Sequence, residues 1–276
     1  MAQRFHKMHG LGNDFVVFDA RVAPVEITPA RAHAIADRHT GIGCDQLIVI
    51  EPSTVATARM RIWNGDGSEV ESCGNATRCV AMLLGDGATI ETLGGILDAT
   101  ITKIGTTGAA SVDMGAPRFD WDAVPLDYPM DTMALPLAWD GLAPIAPPIA
   151  LSVGNPHVIF FVPDTDAVDL EAAGRPIEHD PVFPERINVN VATIESRSRI
   201  RLRVWERGAG ATLACGTGAC ATAVAAIRSG RVDSGVTVAL PGGELVIDWQ
   251  PGGTIRMTGP ATHVFTGELD MDAFPA

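Results

Sequence analysis

Apolar residues come in short runs bounded by Gly, Pro and polar clusters, with a clean alternation in Arg59-Met60-Arg61-Ile62-Trp63. Runs of that length and pattern read as strands. Arg4–Met8 and Asp14–Asp19 flank Gly10-Leu11-Gly12-Asn13 and predict a hairpin. Thr28-Pro29 predicts a helix to about His39, with Thr as N-cap, Pro at the first helical position and Gly41 beyond the end. Strands follow at Gln46–Glu51 and Ala58–Trp63, then a polar loop Asn64–Ser68 and an apolar helix Ala76–Leu84 ended by Gly85. Thr89–Thr92, Leu97–Ile104 and Ser111–Met114 are the next predicted strands. The Pro-rich stretch Pro117–Pro148 reads as a linker region. Beyond it Val158–Val162, Ile187–Ile194 and Arg199–Trp205 predict strands, and Gly218–Arg228 an Ala-rich helix. Val236–Leu240, Glu244–Trp249, Thr254–Met257 and His263–Thr266 close the chain as strands. The two helices after Cys73 and Cys215 are apolar all round, so each must be buried, with strands wrapped about it.

The order of elements repeats. Gly12-Asn13, Arg59–Trp63 and Cys73-Gly74 return 142 positions later as Gly154-Asn155, Arg201–Trp205 and Cys215-Gly216. One register holds across all three pairs, so the chain reads as two related halves. The same offset places Gln46 on Asn188, Asn64 on Glu206, Gly65 on Arg207 and Asn75 on Thr217. A symmetric scaffold with an unlike lining suits a ligand with two unlike ends.

Each half runs strand, Gly-rich loop, Cys-Gly, helix. A cysteine at a helix N-terminus meets unpaired N–H groups and the positive end of the dipole, which predicts a thiol pKa below about 8.5. The N–H groups of Gly74, Asn75, Gly216 and Thr217 suit a carboxylate. Two equivalent thiols suit one reaction in particular. One thiolate takes a proton from a substrate carbon, the opposite thiol returns one, and the stereocentre inverts. Cys44, Cys79 and Cys220 read as buried fillers.

Composition narrows the classes. The chain has 276 residues, room for two domains. It is 46% hydrophobic, which excludes disorder as the main state. A net charge of −13 opposes nucleic-acid and anionic-membrane partners. No apolar run approaches the roughly 20 residues of a membrane helix, and Met1–Gly10 has no apolar signal region. Five sparse cysteines, an odd count without CxxC pairs, argue for a cytoplasmic protein and against a disulfide framework or zinc site. A pyridoxal route needs a Schiff-base lysine, and the only lysines, Lys7 and Lys103, lie outside the cysteine loops.

At these residues the chain resembles the diaminopimelate epimerase family, over nearly its whole length. The motifs are MHGLGNDF (Met8–Phe15), GIGCDQL (Gly41–Leu47), NGDGSEVESCGNATRC (Asn64–Cys79), GNPHVIFF (Gly154–Phe161) and WERGAGATLACGTGACA (Trp205–Ala221). The last of these separates the chain from the proline-racemase branch, which shares the two-cysteine logic. The resemblance implies an α+β fold of two pseudo-symmetric domains, each a mixed, barrel-like β-sheet around a central helix. The expected domains are 1–117, joined by a C-terminal strand 263–276, and 118–262, with the active site in the cleft between them. It implies catalytic thiols at Cys73 and Cys215, and His157 and Glu206 as tuners of their pKa values. Substrate contacts are implied at Asn13, Gln46, Asn64, Gly74, Asn75, Asn155, Asn188, Glu206, Arg207, Gly216 and Thr217. It further implies a homodimer acting on a small amino-acid substrate without cofactor or metal, epimerising LL-diaminopimelate to the meso form for lysine and peptidoglycan synthesis.

Plainer readings stand beside these. Asn13 and Asn64 also suit turns, Gln46 and Asn188 strand edges, and His157 a satisfied core histidine. Gly65, Cys44 and Ala211 depart from the family's commonest residues. Competing functions are a racemase or epimerase of proline or hydroxyproline type, a non-catalytic amino-acid-binding protein, and a redox sensor through the two thiols.

Overall fold

The computed structural model describes residues 2–70, 73–103 and 107–274. Two compact units divide the chain at Asp113/Met114 and Met257/Thr258. The first comprises the chain to Asp113 together with the segment from Thr258, and the second is Met114–Met257.

The first unit opens with the hairpin β1 (Ala2–Gly10) and β2 (Asn13–Asp19). Helix α1 (Pro29–Ala36) follows, capped by Thr28 Oγ1, which accepts from Arg31 N at 3.1 Å. It ends about three residues earlier than the sequence predicts. Asp37 leaves the helix at φ −60°, ψ 126°, and its carboxylate accepts from the backbone N–H groups of His39 and Thr40. Gly41 then doubles back so closely that a Cβ there would lie 2.3 Å from Ala34 O. β3 (Gln46–Glu51) runs parallel to β2, and β4 (Ala58–Asn64) antiparallel to β3. The short β5 (Glu69–Val70), α2 (Gly74–Leu84), β6 (Ala88–Thr92), β7 (Gly95–Lys103) and β8 (Thr107–Asp113) complete the N-terminal part. Ile104, the predicted end of β7, and Glu71 and Ser72 ahead of Cys73 lie outside the described residues.

The second unit repeats the order with β9 (Ile149–Ser152), β10 (Pro156–Phe161), α3 (Leu170–Glu178), β11 (Asn188–Ser196), β12 (Arg199–Glu206), β13 (Gly210–Thr212) and α4 (Gly216–Arg228). β14 (Val236–Leu240) and β15 (Gly243–Asp248) form a hairpin. β16 (Arg256–Asp270) then leaves this unit for the first.

Strand register preserves the duplication residue by residue. Phe15 faces Gln46 as His157 faces Asn188, and Glu51 faces Arg59 as Thr193 faces Arg201. Ile62 faces Val70 as Val204 faces Thr212. Each pair differs by 142, and so do the helix starts Gly74 and Gly216.

In the first unit the strands follow the order β1-β2-β3-β4-β6-β7-β8-β16, and β16 also pairs β1, so the sheet closes on itself. Parallel pairs β2–β3 and β4–β6 sit among antiparallel ones. α2 packs against β1, β2, β6, β7 and β8 inside this barrel. A second core layer, built from Phe18, Ile35, Leu47, Val49 and Trp63, lies between the sheet and α1. In the second unit the order is β9-β10-β11-β12-β14-β15, and α4 packs against all six strands. The α+β fold of two barrel-like sheets, each around a buried apolar helix, is the one expected from the sequence.

Three expectations change. The Pro-rich segment is no linker: Val124, Leu126 and Leu135 are buried with Phe160, Ile177 and Val189 in the second unit's core. It bridges β9 at Arg118 and Ser152, and its apolar side chains gain from burial. The end of predicted strand 254–257, from Arg256, and predicted strand 263–266 are parts of one strand, β16, which continues through Pro260. Pro260 lies just before the β1 register, which begins at Thr262. The sequence does not predict α3, because Pro176 interrupts its pattern. Asp169 caps it at Ala172 N, 3.1 Å away.

Candidate active site

In the first unit, a turn with Leu11 at φ 59° and Gly12 at φ 86° delivers Asn13 to the start of β2. Asn13 Oδ1 accepts from Asn75 Nδ2 at 3.3 Å and lies 3.8 Å from Cys73 Sγ. Its Nδ2 donates to Asp45 Oδ2 at 3.1 Å, and Arg38 Nη2 holds the other oxygen of Asp45 at 2.7 Å. Cys73 is the N-cap of α2, so its sulfur sits where that helix offers its first N–H groups. One turn on, the buried guanidinium of Arg78 donates to Asn75 Oδ1 at 2.7 Å and to Pro260 O at 3.2 Å. Gln46 and Asn64 face each other across β3 and β4, with Gln46 Nε2 donating to Asn64 Oδ1 at 3.0 Å. Gln46 Oε1 is buried without a hydrogen-bond partner.

In the second unit, Cys215 is the N-cap of α4 and is buried. Its sulfur accepts from Gly218 N at 3.3 Å and lies 3.5 Å from Thr217 Oγ1. Asn155 Nδ2 donates to Thr217 Oγ1 at 3.3 Å, and Asn155 Oδ1 lies 3.1 Å from His157 Nε2. His157 Nδ1 is 3.1 Å from Asn190 Nδ2. Glu206 accepts from Thr212 Oγ1 at 2.5 Å across the β12–β13 pair. That pair, with Trp205 opposite Ala211, holds the loop before Cys215. Asn188 spends its amide on the backbone, accepting from Arg207 N at 2.9 Å and donating to Pro156 O at 2.8 Å. The Arg207 guanidinium is exposed and donates to Glu185 O at 3.0 Å.

The electrostatics reverse one expectation. Burial, and then the charge of Glu206, push the Cys215 thiol well above its ordinary pKa, against the helix N-terminus. The donors Thr217 and Gly218 act the other way and are outweighed. A thiol withdrawn from water loses more by ionising than one N–H group and one hydroxyl restore. Burial likewise raises the Glu206 carboxyl. His157 is driven down to about 3 by burial, which outweighs the opposing hydrogen bond with Asn190 and is reinforced by the charge of Arg207, so its ring is neutral at physiological pH. Cys44 and Cys79 are also pushed up to about 12 by burial, and neither is the N-cap of a helix. Among the described residues no group of three or more His, Cys, Asp or Glu side chains is placed to hold a metal ion.

A family model described as diaminopimelate epimerase matches residues 5–119 and 149–264. The chain belongs to the diaminopimelate epimerase family. It is 66% identical over 277 residues to a diaminopimelate epimerase of Rhizorhabdus wittichii, covering 100% of this chain and 98% of that one. A diaminopimelate epimerase of Sphingopyxis alaskensis is 64% identical over 99% of this chain and 100% of its own. Among solved structures, a probable proline racemase from Agrobacterium radiobacter K84 is similar, with TM-score 0.68 and 15% identity, over 99% of this chain and 94% of that one. That likeness is one of fold. The core-packing Pro-rich segment falls largely in the gap of the diaminopimelate epimerase family match, between residues 119 and 149.

Within this member of the diaminopimelate epimerase family, sequence reasoning overlooked the groups that hold the candidate residues in place. Asp45 and Arg78 fix the amides of Asn13 and Asn75. Glu178 accepts from Trp205 Nε1 at 2.7 Å and from Gly208 N at 2.9 Å, one contact on each side of Glu206-Arg207. Asn190 orients His157. A signal for Asn190 was present, because the alternation Asn188-Val189-Asn190-Val191 puts both amides on one face of an otherwise apolar strand.

Proposed function

We propose that the chain inverts one α-carbon of 2,6-diaminopimelate, interconverting the LL and meso forms, with Cys73 and Cys215 as its two proton-transfer groups. As a member of the diaminopimelate epimerase family the chain is an isomerase. The observation that carries the assignment of the thiols is their equivalence. Each is the N-cap of a buried helix 142 residues from the other, with Asn13 against Cys73 and its repeat equivalent Asn155 against Thr217, which contacts Cys215.

Inversion needs removal of the α-proton from one face and delivery of a proton to the other. Burial and Glu206 keep Cys215 as a thiol at rest, so it is the acid of the first half-reaction. Cys73, partly exposed at the same place in its own helix, is then the base. The carbanion carries its charge onto the neighbouring carboxylate, where N–H groups at a helix start stabilise it. Gly74 and Asn75, and Gly216 and Thr217, are the residues at those starts. In the reverse direction the thiols exchange roles. Gln46 Oε1, buried and unsatisfied, suits an ammonium group, and the exposed guanidinium of Arg207 suits a carboxylate. The five cysteines, all outside disulfides, support a cytoplasmic location, and the exposed Val264 and Phe265 on β16 support a homodimer, which sedimentation of the purified protein tests.

Incubation of the reduced protein with diaminopimelate in heavy water tests the reaction. Deuterium at the α-carbon of both stereoisomers is expected, and its absence refutes epimerisation. Cys73→Ala should abolish turnover; turnover at the wild-type rate would refute the two-thiol assignment.

A further inference from the structure

Four hydrogen-bond contacts in the second unit join Asn190 to Cys215. Asn190 Nδ2 is 3.1 Å from His157 Nδ1, and His157 Nε2 is 3.1 Å from Asn155 Oδ1. Asn155 Nδ2 is 3.3 Å from Thr217 Oγ1, which is 3.5 Å from Cys215 Sγ. The chemistry of the groups fixes the direction of the chain. An amide NH₂ only donates, and an amide oxygen only accepts. Asn190 therefore makes His157 Nδ1 an acceptor, and a neutral imidazole then carries its proton on Nε2. That N–H donates to Asn155 Oδ1, leaving Asn155 to donate to Thr217. The Thr217 oxygen is thus occupied as an acceptor, and its own hydrogen is directed at the Cys215 sulfur.

We propose that Asn190 is a positioning residue for Cys215: by selecting the Nε2–H tautomer of His157 it aims a hydroxyl donor at the reactive sulfur. The proposal rests on the reading of Cys215 as a proton-transfer thiol. When Cys215 gives up its proton, the thiolate faces the charge of Glu206 and needs donors. Gly218 N–H is one, and Thr217 becomes the second only if the chain runs in this direction. His157 must also stay neutral, since an imidazolium would present an N–H to the NH₂ of Asn190. Its complete burial, with the Arg207 charge nearby, keeps it so.

Two further features single out Asn190. Its Oδ1 is buried with no hydrogen-bond partner, a cost accepted in holding the amide this way round. That oxygen has room because residue 218 is glycine: a Cβ there would lie 2.9 Å from it. The first unit also lacks the device. The positions 142 residues before His157 and Asn190 hold Phe15 and Ile48, so the chain distinguishes two thiols that the repeat makes equivalent.

Nitrogen-15 NMR of the full-length, histidine-labelled, reduced protein reads the tautomer directly. The His157 signal is assigned by its loss in His157→Gln. Protonated Nε2 and unprotonated Nδ1 are expected from mildly acidic to mildly basic pH, and the Nδ1–H tautomer overturns the proposal without any variant at position 190. Asn190→Asp makes the partner an acceptor only, so His157 should move its proton to Nδ1 and the chain should reverse. Cys215 alkylation by iodoacetamide at neutral pH, followed by peptide mass spectrometry, should then slow about tenfold, a rise of about one pKa unit. Cys73 in the same sample should change less than about twofold. Asn190→Leu separates tautomer from charge: mixed tautomers and a smaller slowing at Cys215 are expected. Unchanged Cys215 alkylation in both variants overturns the proposal. None of these readouts needs turnover. If deuterium incorporation fails while they hold, the epimerase reading falls and the role of Asn190 in setting thiol reactivity stands.

Discussion

Asn13 and Asn155 occupy equivalent positions, 142 residues apart, yet they present opposite ends of their amides to the helix that follows. Asn13 offers its oxygen to Asn75 and Cys73, and Asn155 offers its nitrogen to Thr217. The cause lies one residue further back in each network. Asp45, an acceptor, claims the nitrogen of Asn13, whereas His157, donating through Nε2, claims the oxygen of Asn155. At the swapped repeat positions stand Ile187 and Phe15, which claim nothing. Differences behind the two asparagines, at Asp45/Ile187 and Phe15/His157, thus turn their amides opposite ways within a duplicated scaffold.

Asp45→Ala should release the Asn13 amide and slow turnover about tenfold, the loss of one hydrogen bond to a charged group. Asp45→Asn keeps an oxygen for the Asn13 NH₂ and should retain most of the activity. Steady-state kcat of the two variants checks this, and equal losses would show that Asp45 acts through its charge and not by orienting the amide.

Glu178 is 2% exposed and uses one oxygen on Trp205 and the other on Gly208, thereby bracketing Glu206-Arg207. A glutamine has only one acceptor atom and cannot hold both. Glu178→Gln should raise KM for diaminopimelate more than it lowers kcat, because the Arg207 loop shifts while the thiols stay in place. It should also cost about 2 kcal/mol in urea unfolding, the penalty of an unmade buried contact. A fall in kcat alone would argue against the specificity role.

The expected effect of glycine substitution follows from the same packing. Gly174 in α3 lies against Trp205, and a Cβ there would fall 2.5 Å from the indole ring. Gly174→Ala should destabilise the protein by about 1–3 kcal/mol through overpacking. A shifted urea midpoint with unchanged slope checks it.

Much of this architecture was legible in the repeat. The offset of 142 predicts the register of β2–β3, β3–β4 and β4–β5 from their counterparts, because backbone pairing depends on spacing and not on side-chain identity. Applied to α1, it also places a helix at 171–178, within the observed α3 that the interrupting Pro176 concealed. What escaped was tertiary in origin. The Pro-rich segment looks like a linker until the apolar surface it covers is known. Helix position argues for a low thiol pKa at Cys215, and only burial and the approach of Glu206 reverse it. The resemblance implies Asn188 as a substrate contact, and the sequence does not show that its amide also clamps Pro156 and Arg207, a choice set by loop geometry.

Asp14 makes the stability of the first unit depend on acid pH. Burial alone would raise its carboxyl, but hydrogen bonds from Arg38 and Lys7 overcome that and hold the pKa at about 2, below the ordinary 3.8. A depressed carboxylate pKa stabilises the fold above the unfolded value and loses that contribution as pH falls through the folded value. The window therefore runs from about pH 4 down to about pH 2, and the full contribution is about 2 kcal/mol. Arg38 is largely exposed, so salt screens its share, whereas the Lys7 contact, with both side chains under 20% exposed, persists. Asp14→Asn should accordingly lower the urea midpoint at neutral pH, and the gap to wild type should close as pH approaches about 2. A gap that stayed constant across that window would show that Asp14 stabilises the unit by shape and hydrogen bonding, independent of its charge.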